Sequence, residues 1–279
     1  MILLGSACAA MLNAASNVVN QCYDFENDRI NKPTRPLITG EISMGRAFRY
    51  ASVLYVIALV PTWLVVSWPA VTFAEKLKAP LALHQCFGIF VLGMVATLVY
   101  SAPRFGRTKA NAFLANLTIA IPRGCLLKVA GWSMVASVFR VEPWVIGSIF
   151  FLFLAGAAST KDFSDMPGDA AAGCRTLPIR FGVTAAARMI APFFVLPWLM
   201  MPLGAWVRDP WSPEHAILTG NRNVLTGLGI LLAAWGCYTV YLILRNPEDL
   251  AKVENHPSWT HMYLMMMAAQ LGFAVAYVV

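Results

Sequence analysis

The chain has 279 residues, of which 58% are hydrophobic and only 13% are charged, and its mean hydropathy is +0.62. About a quarter of the residues of a typical soluble domain are charged, so this composition excludes an ordinary soluble protein. The formal net charge of +7 would favour nucleic-acid binding in a soluble protein. Here the distribution of basic residues over the loops explains the charge better, and we expect no nucleic-acid partner.

Apolar segments of roughly twenty residues recur, long enough to cross a hydrocarbon layer about 30 Å thick. We predict an all-α, multi-pass transmembrane bundle that forms one domain over residues 1–279. Its eight predicted helices cover residues 1–23, 44–68, 83–100, 111–135, 143–160, 184–207, 223–244 and 260–279. Because Met1 opens directly into an apolar helix with no basic flank, unlike a signal peptide, we expect a further helix upstream.

The basic residues are distributed unevenly over the loops. The segments 24–49, 101–110, 161–188 and 245–252 contain fourteen of the twenty-one Lys and Arg, whereas the alternate loops contain five. Cytoplasmic loops carry an excess of Lys and Arg. We therefore predict an integral protein of a bacterial or archaeal cell membrane, with the first set of loops facing the cytoplasm.

The first predicted helix ends in a polar sequence in which Asn20, Asp24 and Asp28 are four residues apart. This spacing places the three side chains on one face of a helix. Stacked carboxylates repel one another unless a cation lies between them, and their oxygens suit Mg²⁺, which commonly bridges to substrate phosphates. Solvated end caps are the alternative. Arg35 follows and is either a phosphate ligand or a surface charge.

A second acidic stretch follows the fifth predicted helix, with Asp162, Asp165 and Asp169 at intervals of three and four. These carboxylates also share one helical face, and Lys161 and Arg175 flank them. Phosphate chemistry commonly combines Mg²⁺ with Lys or Arg to neutralise leaving oxygens. Both acidic stretches, here called the first and the second arm, lead into basic residues and a Gly. This faint repeat predicts that the two arms meet over one site.

A third polar loop lies on the same predicted side as both acidic stretches. It begins at Tyr100, which is either a site residue or an interfacial aromatic. Three basic residues follow, Arg104, Arg107 and Lys109, which either anchor the membrane topology or belong to the same site as the acidic stretches.

Arg123 and Lys128 lie inside an apolar segment. Ionisable groups at membrane depth are costly and usually face the bundle interior or water. Pro122 and Gly124 bracket Arg123, so the helix is expected to break there. One explanation is that these residues bind the carboxylate, phosphate or carbonyl group of an acceptor. The other is that they form pairs within the bundle or snorkel toward the membrane surface.

Together these motifs resemble the signatures of the UbiA-type membrane prenyltransferases. The first signature is similar to Asn20-x-x-x-Asp24-x-x-x-Asp28 followed by Asn31-Lys-Pro-x-Arg35-Pro. The second is similar to Lys161-Asp162-x-x-Asp165-x-x-x-Asp169 followed by Arg175-Thr-Leu-Pro, and the family's polar loop is similar to Tyr100-Ser-x-Pro. The resemblance spans nearly the whole chain. It implies nine helices around a central cavity, of which eight are seen here.

The resemblance implies transfer of a prenyl group from an allylic diphosphate to a lipophilic acceptor in the bilayer, with no obligate protein partner. It implies that Mg²⁺ on the diphosphate is held by Asn20, Asp24, Asp28, Asp162, Asp165 and Asp169. It further implies that the diphosphate oxygens are neutralised by Lys161, Arg35 and Lys109, with Arg104 and Arg107 competing for the role of Lys109. Heterolysis would leave an allylic cation that aromatic faces stabilise, in an apolar cavity that excludes water.

The sequence after the first signature is similar to the branch with chlorophyll synthases, homogentisate prenyltransferases and digeranylgeranylglyceryl phosphate synthases. We therefore expect a long, geranylgeranyl-like donor. The acceptor stays open between an aromatic quinone precursor, a tetrapyrrole and a glycerol phosphate lipid.

Two other classes of protein are weighed against this interpretation. A CDP-alcohol phosphotransferase needs Asp-x-x-Asp-Gly-x-x-Ala-Arg, and no Asp-Gly-x-x-Ala-Arg sequence occurs here. A cation-coupled transporter usually places its carboxylates near the membrane midplane, whereas these are predicted at one membrane face beside Lys and Arg.

Overall fold

The computed structural model describes residues 1–66, 72–253 and 255–279. They form a helical bundle with one small β-hairpin. The α-helices are α1 (Ile2–Tyr23), α2 (Phe25–Asn31), α3 (Pro36–Thr39), α4 (Met44–Leu59), α5 (Phe73–Lys78), α6 (Gln85–Ser101), α7 (Ala112–Ala120), α8 (Leu127–Ser133), α9 (Glu142–Ala157), α10 (Thr160–Ser164), α11 (Met166–Ala171), α12 (Leu177–Phe181), α13 (Val183–Ile190), α14 (Leu196–Trp206), α15 (Arg222–Leu244), α16 (Asp249–Lys252) and α17 (Pro257–Ala276).

Shorter elements connect these helices. The 3₁₀ turns are Val60–Leu64, Leu81–Leu83, Pro103–Phe105, Thr108–Ala110 and Ala191–Phe194, and a π-helical segment, Ile121–Leu126, joins α7 to α8. Strands β1 (Arg208–Asp209) and β2 (Ser212–Ala216) pair antiparallel. The hairpin lies between two spanning helices and was not predicted from the sequence.

The structure confirms the all-α, multi-pass bundle, with helix at each of the eight predicted places. Six helical stretches are long and apolar enough to cross a membrane: Ile2–Tyr23, Met44–Leu64, Ala112–Ser133, Glu142–Ser164, Val183–Trp206 and Arg222–Leu244. The seventh, Gln85–Ser101, has 17 residues, and α17 is not among the six. Residues 67 and 68 of the second predicted span lie outside the described residues.

Each acidic stretch is divided between two helices, which corrects the expectation of one continuous helical face. α1 ends at Tyr23, Asp24 adopts φ −97° and ψ 11°, and α2 begins at the next residue. In the second arm Asp165 adopts φ −90° and ψ 0° between α10 and α11. Both aspartates occupy the bridge region, where turns form. The chain therefore turns at the middle aspartate of each arm, and α2 contacts α11.

The helix α9 is the best packed of the spanning elements. Over its most apolar window 56% of the residues are buried inside the protein, against 22% for α1. Gly124 brings the π segment against the backbone of Phe151, and Gly156 brings α9 against the Ile190 carbonyl. Small residues permit such close approach of membrane helices. The second acidic arm therefore follows a helix that is mostly buried inside the protein, and the first follows a helix of which a smaller share is buried.

The helix that carries Arg123 widens where the sequence predicts a break. Pro122 cannot donate a backbone hydrogen bond, and its ring crowds the preceding turn. The chain absorbs this in the π segment, and α8 continues on the far side. The spanning stretch Ala112–Ser133 is thereby continuous.

Candidate active site

The three polar residues of the first arm contact three different partners. Asn20 accepts a hydrogen bond from the Ser101 hydroxyl at 3.2 Å. Asp24 forms an ion pair with Lys109, and Asp28 forms one with Arg35. These contacts come from α6, from the loop after it and from the segment after α2. The first arm is therefore held by groups that the sequence places in separate loops.

Of the three basic residues that compete in the polar loop, Lys109 reaches the acidic cluster. Its side chain is 8% exposed, beside an Asp24 side chain that is 11% exposed. Arg104 is exposed on a 3₁₀ turn, and Arg107 is half-buried in a left-handed conformation with φ +40°. Tyr100 is half-buried near the end of α6, next to Ser101.

The second arm presents its carboxylates to basic groups and to an amide. Asp165 lies 3.4 Å from the Lys161 ammonium and 4.0 Å from that of Lys32. Asp169 accepts a hydrogen bond from the Asn27 amide at 2.9 Å. Asp162 is half-buried on α10, one turn before Asp165.

Two asparagines join the arms. Besides the contact between Asn27 and Asp169, the Asn31 amide donates to the Asp165 carbonyl at 3.0 Å. The Asn31 oxygen in turn accepts from the Gly168 backbone N–H at 3.0 Å. The two arms therefore meet, as the faint repeat predicted.

Asn27 was missed by the sequence analysis. It is 4% exposed, and its side-chain oxygen is buried with no hydrogen-bond partner among the described residues. Its three-residue spacing from Asp24 was available as a signal. An asparagine at the end of a membrane helix is nevertheless more often solvated, and only the contact with the second arm distinguishes it.

Burial makes negative charge costly at two of the carboxyls. Desolvation raises the pKa of Asp28, and the hydrogen bond and positive charge of Arg35 oppose this rise. Desolvation likewise raises the pKa of Asp169, opposed by the Asn27 hydrogen bond and the Lys109 charge. Positive charge beside these two groups therefore favours their ionised form.

The carboxylates are not gathered around a single point. Within residues 1–66, 72–253 and 255–279, no group of three His, Cys, Asp or Glu side chains is arranged to hold a metal ion. Asp24, Asp28 and Asp165 are instead paired with Lys or Arg. The donor atoms present are carboxylate and amide oxygens, which are the ligands that Mg²⁺ accepts.

Arg123 forms no salt bridge with the carboxylates that the structure describes. Its guanidinium donates to the side-chain oxygen of Asn17 on α1 at 3.0 Å. Lys128 donates to Gln270 on α17 at 2.8 Å and lies 4.5 Å from the centre of the Phe150 ring. The expectation that Arg123 contacts a substrate stays a prediction.

Comparison with known proteins identifies the family. The family model for the UbiA prenyltransferase family matches residues 1–75 and 77–254. The chain belongs to this family. It is a multi-pass membrane prenyltransferase, which decides against the phosphotransferase and transporter alternatives.

Two relatives illustrate the range of the similarity. The digeranylgeranylglyceryl phosphate synthase of Methanobrevibacter smithii is 24% identical over 278 residues, covering 98% of this chain and 86% of that protein. The bacteriochlorophyll synthase 34 kDa chain of Chloroflexus aurantiacus is 31% identical over 275 residues, covering 98% of this chain and 78% of that protein.

Solved structures share the fold of this prenyltransferase. A UbiA homolog from Archaeoglobus fulgidus, bound to DMAPP and Mg²⁺, superposes with a TM-score of 0.68 at 22% identity, covering 100% of this chain and 88% of that one. The apo UbiA homolog from Aeropyrum pernix K1 gives a TM-score of 0.70 at 18% identity, covering 98% and 88%.

Proposed function

We propose that this prenyltransferase uses Mg²⁺ to transfer a long, geranylgeranyl-like group from its diphosphate to a lipophilic acceptor. The observation that carries the proposal is the junction of the two arms. Asn27 and Asn31 tie them together, while Lys109, Arg35 and Lys161 each lie against one of their carboxylates. A diphosphate with bound metal needs this combination of anionic oxygens and cations.

Asp24, Asp28, Asp162, Asp165 and Asp169 would hold Mg²⁺, together with Asn20. The unpartnered oxygen of Asn27 supports this assignment, because a buried carbonyl oxygen without a donor is costly unless a cation or donor meets it. When bound, Mg²⁺ would neutralise negative charge on the diphosphate oxygens. The A. fulgidus homolog bound to DMAPP and Mg²⁺ is consistent with this donor chemistry.

The basic side chains are expected to exchange partners on substrate binding. Lys109 and Arg35 now neutralise Asp24 and Asp28, and both have long flexible stems that can turn toward diphosphate oxygens. There they would stabilise the negative charge that grows as the allylic C–O bond breaks.

The bond cleavage leaves both bonding electrons on the diphosphate and an allylic cation on the prenyl chain. An electron-rich ring carbon, hydroxyl or carboxylate of the acceptor then forms the new bond and, where it carries a proton, loses it. Half-buried Tyr100 lies close to the first arm through its neighbour Ser101, and we assign it to the face that surrounds the prenyl group.

The names of the relatives support two of the three acceptor types that the sequence leaves open. One is named for a glycerol phosphate lipid and the other for bacteriochlorophyll, so a glycerol phosphate lipid and a tetrapyrrole stand beside an aromatic quinone precursor. We also propose that the site faces the cytoplasm, since Arg35, Lys109 and Lys161 belong to the basic set of loops.

The test is an assay of purified protein in lipid nanodiscs with geranylgeranyl diphosphate, Mg²⁺ and a panel of these three acceptor types. We expect release of diphosphate and one prenylated product by mass spectrometry, both lost on chelation of the metal. Asp24→Asn is the matched inactive control. No diphosphate release with any acceptor, from protein that binds the donor, would contradict the proposal.

The orientation has its own test. With Cys237 replaced by serine, since it is the exposed cysteine, single cysteines at Thr34, Thr108 and Gly173 should react with an impermeant reagent from the cytoplasmic side only. Cysteines at Lys76 and Pro213 should react from the other side only. The reverse pattern would invert the topology.

A further inference from the structure

Arg123 and Lys128 are two positive charges inside the membrane-spanning stretch Ala112–Ser133. Neither forms a salt bridge with any described Asp or Glu. Their partners are the neutral amides of Asn17 and Gln270. An amide oxygen accepts a hydrogen bond but cancels no charge, and uncompensated charge at membrane depth is costly and marks functional sites.

Asn17, the hydrogen-bond partner of Arg123, lies on the face of α1 that contributes residues to the candidate active site. Asn17 and Asn20 are three residues apart and share one face of α1, and Asp24 follows on the same side where the helix ends. The other two members of this face contact Ser101 and Lys109. With a rise of 1.5 Å per residue, Asn17 lies about 10 Å from Asp24 along the axis of α1. The guanidinium is thus deeper in the membrane than the proposed diphosphate site.

The π segment reduces the angle around the helix axis between Arg123 and Lys128, whose present partners lie on α1 and α17. Successive residues of an α-helix turn by about 100°, so residues five apart point about 140° away from each other. In a π turn the hydrogen bonds run from i to i+5, so residues five apart are one turn apart. Ile121–Leu126 is such a segment and covers most of the stretch between Arg123 and Lys128. π turns are rare and occur frequently at functional sites.

We propose that Arg123 and Lys128 form an anion-binding subsite for the acceptor, an inference that rests on the proposed function. The ligand is a lipophilic molecule with a phosphate or carboxylate group. Its anionic group takes the place of Asn17 and Gln270 on the two cations, while its apolar part lies in the bundle. The reacting atom of the acceptor then lies between this subsite and the diphosphate.

This arrangement has an electrostatic reason. An allylic cation that forms between the diphosphate and two uncompensated positive charges is destabilised by them. An acceptor anion removes that repulsion when it binds. The subsite therefore makes ionisation of the donor favourable when the acceptor is in place.

The test uses unreactive probes with one alkyl chain: dodecyl phosphate, dodecanoate and dodecanol, with inorganic phosphate as a fourth. Binding is measured on the full chain in nanodiscs of uncharged lipid. We expect dodecyl phosphate or dodecanoate to bind at least about tenfold more tightly than dodecanol, as charge-assisted hydrogen bonds require. We expect inorganic phosphate to bind more weakly than dodecyl phosphate, which separates an acceptor subsite from a site for free phosphate.

Two charge-removing variants locate the binding. Arg123→Gln and Lys128→Gln should each weaken binding of the preferred anionic probe by about tenfold and leave dodecanol binding unchanged. Arg188→Gln, which removes an exposed Arg from another spanning stretch, should keep wild-type affinity for all four probes. Arg123→Lys and Lys128→Arg should retain most of the affinity, which separates lost charge from lost folding.

The outcomes distinguish this subsite from the proposed function. Binding of inorganic diphosphate with Mg²⁺ should stay within twofold of wild type in both Gln variants, because that site uses the two acidic arms. Selective anion binding without any transfer activity would leave the subsite standing and overturn the proposed function. Equal affinity for dodecanol and dodecyl phosphate, or for inorganic and dodecyl phosphate, would overturn the subsite. Anion binding that persists in both Gln variants would also overturn the subsite.

Discussion

Carboxylates at the two ends of the bundle are neutralised in different ways. At the candidate active site, Asp24 and Asp28 meet the charged ends of Lys109 and Arg35. At the far end of α9, Glu142 is 4% exposed and has only neutral donors. These are the Thr219 backbone N–H at 2.6 Å, the Thr219 hydroxyl at 2.9 Å and the Tyr277 hydroxyl.

The difference separates a binding role from a structural one. Glu142 is held by short groups fixed to the loop before α15 and to the end of α17, so it ties three elements together. The Tyr277 hydroxyl donates a hydrogen bond to Glu142 from the end of α17. The partners of Asp24 and Asp28 are long cationic side chains that can move to a ligand.

The largest expected effect is on catalysis. Asp24→Asn and Asp162→Asn should each lower the transfer rate at least about 100-fold, because each removes a charge from the proposed metal site. Both variants should remain folded in detergent. Glu214→Gln, an exposed acid on the hairpin, serves as the control in the same assay. Wild-type turnover by either aspartate variant at unchanged Mg²⁺ would contradict the proposal that these carboxylates bind the metal.

The second effect is on stability at the opposite end. Glu142→Ala leaves three donors without an acceptor and should destabilise the protein by about 3 kcal/mol, while binding of Mg²⁺ and diphosphate stays unchanged. Unfolding in detergent measures the first quantity. Glu26→Ala, which removes only an exposed ion pair with Arg29, should cost less than about 1 kcal/mol. Equal stability of the two variants would contradict the role given to Glu142.

The third effect concerns Asn27 and tests whether its side chain has a binding role or a structural one. Asn27→Ala removes the hydrogen bond to Asp169 and the unpartnered oxygen. We expect the affinity for Mg²⁺, measured by calorimetry, to fall by about tenfold. Asn223→Ala, at an exposed position on α15, is the matched substitution. An unchanged metal affinity in Asn27→Ala would assign this residue to packing alone.

The smallest effect is a dependence on pH. The pKa values of Asp28 and Asp169 are higher in the folded protein than their usual value because of burial. Without metal, their contribution to stability is therefore present at low pH and is lost as pH rises through the folded pKa values. Mg²⁺ competes with these protons, so its stabilising effect should grow over the same window.

Thermal unfolding with and without Mg²⁺ measures this dependence. The increase in unfolding temperature on adding Mg²⁺ should be larger above the pKa values of Asp28 and Asp169 than below them, by a few degrees. The variant Glu142→Gln should show the same dependence, because Glu142 takes no part in metal binding. A larger increase at the lower pH would contradict the assignment.

The sequence was sufficient for the membrane bundle and for both acidic arms, because hydropathy and carboxylate spacing are local signals. It did not identify Lys109 over Arg104 and Arg107, since the left-handed residues Gly106 and Arg107 set the direction of the loop. The turns at Asp24 and Asp165 were missed for a similar reason. Helical spacing continues through them, and contact between the arms decides the geometry.

Glu142 was not singled out from the sequence either. It stands alone at the start of an apolar helix, where an acidic residue is also favourable as a first-turn charge. Its three donors come from residues 77 and 135 positions away. Such a cluster depends on tertiary contacts, and no local pattern reports it.

The close contacts of α9 bear on how this chain can vary in evolution. At Gly124 and Gly156 a methyl group would meet the backbone of Phe151 and the carbonyl of Ile190, atoms that cannot rotate out of the way. A larger residue at either position would push α9 aside and shift Asp162 at its end. Neutral drift is therefore expected on the lipid-facing surface of this helix and not at these two positions, although glycine has no side chain that could take part in the chemistry.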